Sequence, residues 1–219
     1  LAWDRNGLLY ITLGDRSELD ARALAQDVST ALGKIIRIKP DGSIPWDNPL
    51  AGKSNALSEV WSFGHSNPQG AAIHPQTGEL WTSEQGLQGG DEINRVQPGK
   101  NYGWPLISYG EDSDDKPIGS GITAKNGMEQ PVYYFDPVIE PSGINFYQGK
   151  LFTGWENNLL IGSLNPGGLV RLIFQDNKVI GEERVVAQLG RIRDVDLASD
   201  GALWVISDSG QLNRLIPKL

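Results

Sequence analysis

Short stretches of alternating apolar and polar residues recur along the chain, each following a glycine-containing turn. "DRNGLLYITLGD" (4–15), "PQTGELWTSEQG" (75–86) and "ASDGALWVISDSG" (198–210) share one order: a turn, a Leu, a Tyr or Trp, and small polar residues at the end. "YQGKLFTGWENNLLIGSL" (147–164) is a looser fourth copy. Alternation with period two and aromatic or β-branched residues predict half-buried strands.

A second predicted strand follows each copy and carries an Arg after an apolar residue or an Asn. These strands are "GKIIRIKPDG", "DEINRV", "GLVRLIF" and "GQLNRLI". Helical periodicity is weak throughout; "ELDARALAQDV" (18–28) is the best candidate for a short helix or a structured loop. The sequence therefore predicts an all-β protein built from repeated strand pairs.

Repeated strand pairs at uneven spacing favour a β-propeller of four-stranded antiparallel blades, with long loops between blades, over a β-sandwich. We expect one domain over residues 1–219. Residues 112–131 are predicted to form a polar loop between strands. The predicted blades cover about 1–45, 55–110, 140–185 and 186–219.

Composition narrows the range of partners. The 219 residues carry a formal charge of −8 and include no Cys. This charge argues against nucleic acid or an anionic membrane as the main partner, and no apolar run approaches the roughly 20 residues needed to span a bilayer. Without Cys, disulfides and thiolate metal sites are excluded. Leu1 falls inside a predicted strand, so we expect further residues upstream.

Two arginines one residue apart are the first candidates for binding chemistry. Arg191 and Arg193 lie in "GRIRDV" and should point to the same side of a strand. Guanidinium groups bind carboxylates in a bidentate way, so the pair suits a planar ligand with several negative charges. The alternative is that they form ion pairs with Asp194, Asp196 or a neighbouring blade.

The stretch "SEQGLQGGDEINRVQPGKNYGWP" (83–105) combines turns, oxygens and aromatics. Backbone carbonyls of its glycine-rich part and its carboxylates are hard oxygen ligands that suit Ca²⁺ better than Zn²⁺. The candidates are Gly86, Leu87, Gly89, Gly90, Asp91, Glu92 and Tyr102. The alternative is that the carboxylates are solvated loop residues.

The chain has two histidines. His65, beside Asn67, is expected to support a site through hydrogen bonds, and His74 is expected in a surface turn. No serine nucleophile elbow, phosphate loop or paired zinc spacing is present in the sequence.

Five motifs in order resemble the soluble pyrroloquinoline-quinone (PQQ) dependent glucose/sorbosone (aldose sugar) dehydrogenases. They are "GHSNPQG", "LWTSEQG", "GGDEINRVQPGKNYGWP", "TGWENNLLIGSL" and "GRIRDVDLASDGALWVISD". The resemblance implies a six-bladed propeller, PQQ, Ca²⁺, oxidation of an aldose to a lactone, and a bacterial periplasmic or secreted setting. About four of the six blades are accounted for, so the chain resembles the C-terminal two-thirds of a longer propeller.

The resemblance also implies roles for particular residues. The carbonyls of Gly86 and Leu87 would hold the Ca²⁺ that polarises PQQ, whereas Glu92 and Tyr102 would help to bind a second, structural Ca²⁺. Asn67 and Gln69 would line the cofactor site, and Arg191 and Arg193 would contact PQQ.

Three departures from the family pattern bear on activity. Ser66 stands where the family has an Arg that contacts the quinone, and Asn165 stands where a Lys is expected. The family's catalytic His would lie a few residues before Leu1, so this chain alone is expected to be inactive. An alternative is a propeller that binds a sugar or another ligand, or serves as a scaffold, and catalyses no reaction. A third possibility, a lactonase-type hydrolase, would need an ordered set of metal-binding Glu, Asn and Asp residues, and the sequence shows no such pattern. Uncovered blade faces would favour self-association.

Overall fold

The computed structural model describes residues 1–16, 19–112, 114–176 and 178–218, and these residues form strands with two short 3-10 helices. The helices span Leu19–Gln26 and Ala187–Leu189. The strands are β1 (Ala2–Trp3), β2 (Leu9–Leu13), β3 (Lys34–Ile38), β4 (Val60–Phe63), β5 (Asn67–Ile73), β6 (Leu80–Gln85), β7 (Gln88–Gly89), β8 (Asp91–Val96), β9 (Gly110–Glu111), β10 (Tyr133–Phe135), β11 (Pro141–Phe146), β12 (Leu159–Ser163), β13 (Leu169–Gln175), β14 (Lys178–Val185), β15 (Ile192–Leu197), β16 (Leu203–Ser207) and β17 (Leu212–Leu215).

These strands form four successive antiparallel sheets, which confirms the all-β prediction. The first three sheets have the orders β1-β2-β3-β4, β5-β6-β8-β10 and β11-β12-β13-β14. The fourth has the order β15-β16-β17 and so has three strands among the described residues, one fewer than expected. A small ribbon, β7-β9, stands beside the second sheet's loops.

Two predicted blade boundaries are wrong. β4 (Val60–Phe63) pairs with β3 and completes the first sheet, although the sequence places it in the second blade. β10 (Tyr133–Phe135) pairs with β8 and completes the second sheet beyond the predicted limit at residue 110. Long loops precede both strands, so local pattern cannot show which sheet each one joins. The boundaries of the third and fourth sheets agree with the prediction.

Three apolar cores lie between successive sheets. Tyr10 and Ile35 of the first sheet pack against Leu80 and Val96 of the second. Residues of the second and third sheets, including Trp81, Ile93, Phe146 and Leu172, form another core. The third and fourth sheets enclose Leu160, Leu169, Val195 and Leu203. A sandwich has two sheets around one core, so this arrangement excludes the β-sandwich alternative.

The first strands of the second, third and fourth sheets lie side by side and run in the same direction. Ser142 Oγ donates to the Ile192 carbonyl at 2.6 Å, and Asn145 Nδ2 donates to Asp196 Oδ1 at 3.0 Å. Later residues of β11 therefore contact later residues of β15, so these two strands run parallel. Ser83 Oγ donates to the Ser142 carbonyl at 2.7 Å and links β6 to β11. The starts of β5, β11 and β15 therefore lie at one end of the sheets, which we call the rim.

The repeated arginines stand opposite the repeated aromatic residues. Across the second and third strands of a sheet, Arg37 faces Tyr10, Arg95 faces Trp81 and Arg214 faces Trp204. In the looser copy Arg171 faces Leu160. Each arginine also forms an ion pair with an acidic residue. The sequence repeat thus encodes one cross-strand pair in each sheet.

The predicted helix or structured loop over 18–28 begins with residue 18, which lies outside the described residues; Leu19–Gln26 form a 3-10 helix. Lys34 fixes this helix: its Nζ donates to the carbonyls of Leu24, Ala25 and Leu32 at 2.6–2.9 Å. Within the described residues of 112–131 no strand is present, as expected, but Ile118 is buried against Trp104. No helix among the described residues is long and apolar enough to cross a membrane.

Candidate functional site

The rim carries a row of amide side chains. Gln69 Nε2 donates to Asn67 Oδ1 at 2.7 Å, and Asn67 Nδ2 donates to Gln85 Oε1 at 3.3 Å. Gln85 Nε2 in turn donates to the Pro141 carbonyl at 3.0 Å and so joins the second sheet to the third. The two predicted amide residues therefore belong to one hydrogen-bonded row at the start of β5 and β11.

The predicted arginine pair continues the rim at the fourth sheet. Arg191 Nε donates to Asp208 Oδ2 at 2.7 Å, and Arg193 bonds the other oxygen of the same carboxylate. The hydrogen bond from Arg193 lowers the pKa of Asp208 the most, and the hydrogen bond from Arg191 lowers it further. The two side chains do share one side, as expected. They also form ion pairs, as the alternative held, but the partners are Asp208 and, for Arg191, Glu140 of the neighbouring third sheet, and not Asp194 or Asp196.

Both guanidinium groups remain accessible. The Arg191 and Arg193 side chains are 45% and 49% exposed, and they face one shared carboxylate. Arg191 Nη1 also donates to the Leu164 carbonyl at 3.0 Å and lies 3.4 Å from Glu140 Oε2, an exposed contact. The arginines are therefore positioned by protein groups and can still receive a negatively charged ligand.

A small cavity lies directly inside the rim, next to Gln85. Its volume is about 20 Å³, enough for one water-sized occupant, and Glu84 and Glu92 line it. Asn94 Nδ2 donates to Glu84 Oε1 at 3.1 Å and to Glu92 Oε2 at 3.2 Å. Burial, with the nearby charge of Glu84, raises the pKa of Glu92 to about 8. Two carboxyl groups thus converge with one amide between them.

The cavity gathers most of the residues predicted to bind metal. Gly86, Glu92 and Tyr102 line it, whereas Leu87 is 38% exposed and does not line it. A Cβ on Gly86 would lie 1.8 Å from the Gly89 carbonyl oxygen, so only glycine fits this tight loop. Among the described residues no group of three or more His, Cys, Asp and Glu could hold a metal ion. A cation here would need backbone or amide oxygens as well as the two carboxylates.

Asp91, the other carboxylate of the loop, has a different role. Its carboxylate accepts hydrogen bonds from the backbone amides of Gly86, Ile139 and Glu140 at 2.7–3.0 Å. Burial nevertheless raises its pKa. Asp91 links the glycine-rich loop to the start of the third sheet through these hydrogen bonds. Both of its oxygens accept from backbone N–H groups, so Asp91 is a weaker candidate for a metal ligand than Glu92.

His65 is wholly buried and both ring nitrogens have partners. Nε2 lies 2.8 Å from Ser62 Oγ, Nδ1 lies 2.6 Å from Glu84 Oε1, and the ring stacks on Tyr102 with centroids 4.7 Å apart. This supporting position agrees with the prediction for His65. The Ser–His–Glu order is that of a hydrolase triad, but Ser62 and His65 are 0% exposed, so no substrate can reach them.

Sequence reasoning missed Glu84, which links His65 to the acidic cavity. Its one sequence signal is its position in "SEQG", within a strand whose neighbours are buried. The prediction for His74 is wrong: this residue is buried, and its ring packs on Phe146 at 4.6 Å and near Trp81 at 6.0 Å. The turn does follow His74, but the side chain points into the core between two sheets.

The two substituted residues among the departures from the family pattern lie close to this region. Ser66 lines the small cavity, and its backbone N–H donates to Glu84 Oε2 at 3.3 Å. Asn165 is exposed and follows Leu164, whose carbonyl receives the bond from Arg191. Both positions therefore border the rim residues.

Comparisons with known proteins agree with the motifs. The glucose/sorbosone dehydrogenase family model matches residues 1–215. The chain is 40% identical over 224 residues to the aldose sugar dehydrogenase YliI of Escherichia coli, covering all of this chain and 59% of that protein.

Solved structures are similar over almost the whole chain. The apo form of the soluble aldose sugar dehydrogenase from Escherichia coli matches with a TM-score of 0.87 and 38% identity, over 95% of this chain and 60% of that one. The PQQ-bound form of an aldose sugar dehydrogenase from Streptomyces coelicolor matches with a TM-score of 0.72 and 26% identity, over 98% and 59%. The chain thus spans about three fifths of the length of these relatives.

Proposed function

The chain belongs to the glucose/sorbosone dehydrogenase family, and we propose that it forms part of a β-propeller that oxidises an aldose to its lactone with PQQ and Ca²⁺. Four sheets packed face to face, with the first strands of the second, third and fourth side by side, support the proposal that they are consecutive propeller blades. The two further blades of a six-bladed ring, and a periplasmic or secreted setting, are proposed from the family.

The observation that carries the proposal is the rim itself. Arg191 and Arg193 share the Asp208 carboxylate, and Arg191 also contacts Glu140, so protein groups hold both guanidinium groups on the same rim as the amides of Asn67 and Gln69 while the arginine side chains stay about half exposed. Exposed guanidinium groups and amides suit a planar ligand with several carboxylates, which describes PQQ. The residues present therefore fit the cofactor, with the arginines binding its carboxylates and the amides orienting it.

The small cavity fits a hard cation. The carboxyl groups of Glu84 and Glu92 both line it, and they share one amide donor, Asn94 Nδ2. A hard cation in the cavity would be bound by these carboxylate oxygens and would offset the repulsion between them. We propose that Glu92 and Tyr102 help to hold a structural Ca²⁺ here.

The other Ca²⁺, the one beside the cofactor, would be held by the carbonyls of Gly86 and Leu87. Bound beside PQQ, this ion would draw electron density from a quinone carbonyl and favour hydride arrival there. Asp91 keeps the Gly86 loop in place through its bonds to the backbone.

Oxidation of the sugar also needs a base that accepts the anomeric hydroxyl proton. His65 does not meet this need, because it is 0% exposed and both its nitrogens are engaged. We propose that the base is a His upstream of Leu1 and that residues 1–219 alone show no turnover.

Titration with PQQ in the presence of Ca²⁺, followed by absorbance, tests the proposal. Replacing Arg191 or Arg193 by Gln should raise the dissociation constant of PQQ about tenfold or more, because each charge-assisted bond contributes roughly 1.5–3 kcal/mol. Arg214→Gln is the matched control, because Arg214 pairs with Asp200 at the end of the fourth sheet opposite the rim. Equal affinities for all three variants would contradict the assigned site.

Ser66 and Asn165 favour a second candidate, a propeller that binds a sugar or another ligand without chemistry. Both residues lack the positive charge that the family pattern places beside the quinone. A longer protein that includes the upstream His separates the two functions: aldose oxidation supports the enzyme, and ligand binding without turnover supports the binding protein.

A further inference from the structure

The pair Asn-Gly, preceded by a basic residue, occurs at two places in the chain. "RNGL" covers residues 5–8 and "KNGM" covers residues 125–128, so the two segments have nearly the same local sequence. Asn6 and Asn126 are both exposed, and the glycine that follows each of them has a positive φ, 75° and 83° respectively. A difference in reactivity between these two asparagines must therefore come from how the chain folds around them.

Asn6 is the third residue of a turn that its glycine closes. The Gly7 N–H donates to the Asp4 carbonyl at 3.1 Å, so Gly7 is the fourth residue of this turn. The Asp4 carboxylate adds two bonds, because its Oδ1 accepts from the backbone N–H groups of Asn6 and Leu8 at 2.8 and 2.9 Å. The Gly7 N–H is thus already bonded to a carbonyl, and Asp4 holds the residues on either side of it.

Asn126 lies one place earlier in its own turn. The Met128 N–H donates to the Lys125 carbonyl at 3.1 Å and closes the turn, which puts Asn126 second and Gly127 third. A φ of 83° at the third residue is that of a type II turn. Within the described ranges, neither the Gly127 N–H nor the Asn126 side chain makes a hydrogen bond. A Cβ built on Gly127 would meet no atom within 4 Å, so the backbone nitrogen here is free and surrounded by open space.

We propose that Asn126 is a site of spontaneous deamidation in the folded protein and that the fold protects Asn6. The Gly127 backbone nitrogen attacks Cγ of Asn126 and forms an N–C bond, while its proton passes through water to the amide nitrogen. The Cγ–Nδ2 bond then breaks and ammonia leaves, which closes a five-membered succinimide. A water molecule opens this ring at either carbonyl and leaves an aspartate or an isoaspartate. Glycine lets the nitrogen approach Cγ because it has no side chain in the way.

The protection of Asn6 follows from the same chemistry. The glycine nitrogen must lose its proton and move towards the asparagine Cγ, and a carbonyl that accepts the Gly7 N–H opposes both changes. At Asn126 the product adds one negative charge to the formal −8. The chain beyond this turn stays fixed, because the Glu129 N–H donates to the Asn101 carbonyl at 2.8 Å. This modification is separate from the rim and does not depend on the function proposed there.

Incubation of the protein at neutral pH, followed by digestion and mass spectrometry, measures both sites in one sample. Trypsin cleaves after Arg5 and Lys125, so each asparagine begins its own peptide. In the folded protein the amide of Asn126 should be lost about threefold to tenfold faster than that of Asn6, the factor expected from one backbone hydrogen bond. In urea, where neither turn persists, the two rates should become about equal.

Three variants separate the causes. Asn126→Gln should remove the acidic species seen by isoelectric focusing, because the six-membered ring that Gln forms closes more slowly, whereas Asn6→Gln is the matched control and should leave it. Asp4→Ala should speed amide loss at Asn6 and leave the rate at Asn126 unchanged, since it removes two bonds from the first turn only. The proposal is overturned if the ratio of the two rates is no larger in the folded protein than in urea. It is overturned equally if Asn126 keeps its amide over a period in which the urea sample loses it.

Discussion

His65 Nδ1 lies 2.6 Å from Glu84 Oε1, and this buried contact joins the connection between the first two sheets to the strand β6. Glu84 also reaches Asn94 and the backbone of Ser66. One carboxylate therefore positions both the "GHSNPQG" segment and the acidic cavity beside it.

Replacing His65 by Phe tests this contact. The Phe ring can still stack on Tyr102, but Ser62 Oγ and Glu84 lose a buried partner. The free energy of unfolding should fall by about 1–3 kcal/mol, measured by urea denaturation. His74→Phe is the matched control; it loses two long 3.3 Å bonds among aromatic neighbours and should cost less than about 1 kcal/mol. A larger loss for His74→Phe would contradict the assignment.

Lys34 predicts a pH dependence of stability. Burial lowers its pKa from 10.5 to about 8, so between these pH values the folded protein releases a proton that the unfolded chain retains. The unfolded state then binds more protons, and the free energy of unfolding should rise with pH across that interval.

Comparison with Lys34→Met isolates this contribution. The variant leaves three backbone carbonyls without their donor and should be less stable by about 1–3 kcal/mol at pH 7.5. The difference from the native protein should grow by pH 10. Lys100→Met, at an exposed ion pair with Glu129, should show neither effect. A difference that is constant with pH would show that Lys34 keeps its ordinary pKa.

Glu92 is expected to govern the response to calcium. Ca²⁺ at 100 times its dissociation constant should stabilise the folded protein by about 2.7 kcal/mol. Glu92→Gln should abolish most of the calcium-dependent shift in melting temperature. Without calcium the variant should be as stable as the native protein, because it removes an acid next to Glu84. Glu111→Gln, an exposed neighbour, should retain the full shift; loss of the shift in both variants would point to a general charge effect.

Ser66→Arg combined with Asn165→Lys should strengthen PQQ binding by orders of magnitude without giving turnover. Each new charge can add a charge-assisted hydrogen bond of roughly 1.5–3 kcal/mol to the anionic cofactor. Ser43→Arg with Asn55→Lys adds the same charge on exposed loops and should leave affinity unchanged. Glucose or xylose oxidation by the unmodified 219 residues would show that the assignment of the base is wrong.

Self-association is expected through the outer face of the fourth sheet. Trp204, Ile206 and Leu212 are 37%, 43% and 65% exposed there and line one shallow surface. Leu212→Lys should shift the sedimentation coefficient towards that of a monomer. A native protein that sediments as a monomer at every concentration would contradict this prediction.

Strand existence was predictable from the sequence because alternation and turn residues act locally. The pairing of Arg37 with Tyr10 and of Arg214 with Trp204 explains why the repeat is visible at all. Sheet membership was less predictable, since β4 reaches β3 only after a loop of more than twenty residues.

The common position of Asn67 and Arg191 at one end of the sheets was predictable, because each motif stands at the start of a repeat strand. The acidic cavity depends on contacts between β6 and β8 that no spacing reveals, and Glu84 was missed for that reason. Asp208 was missed because it approaches the arginines only through the hairpin after β16.

The outer sheets should separate from the molecule more easily than the middle sheets, because of how the apolar cores are shared. The second and third sheets have a core on both faces, whereas the first and fourth have one on a single face among the described residues. In such a linear stack, stability is a sum over neighbours, so each outer sheet can detach by breaking one interface. Backbone amides of β16 should therefore exchange with deuterium before those of β12, through a partial opening that leaves the middle of the stack intact.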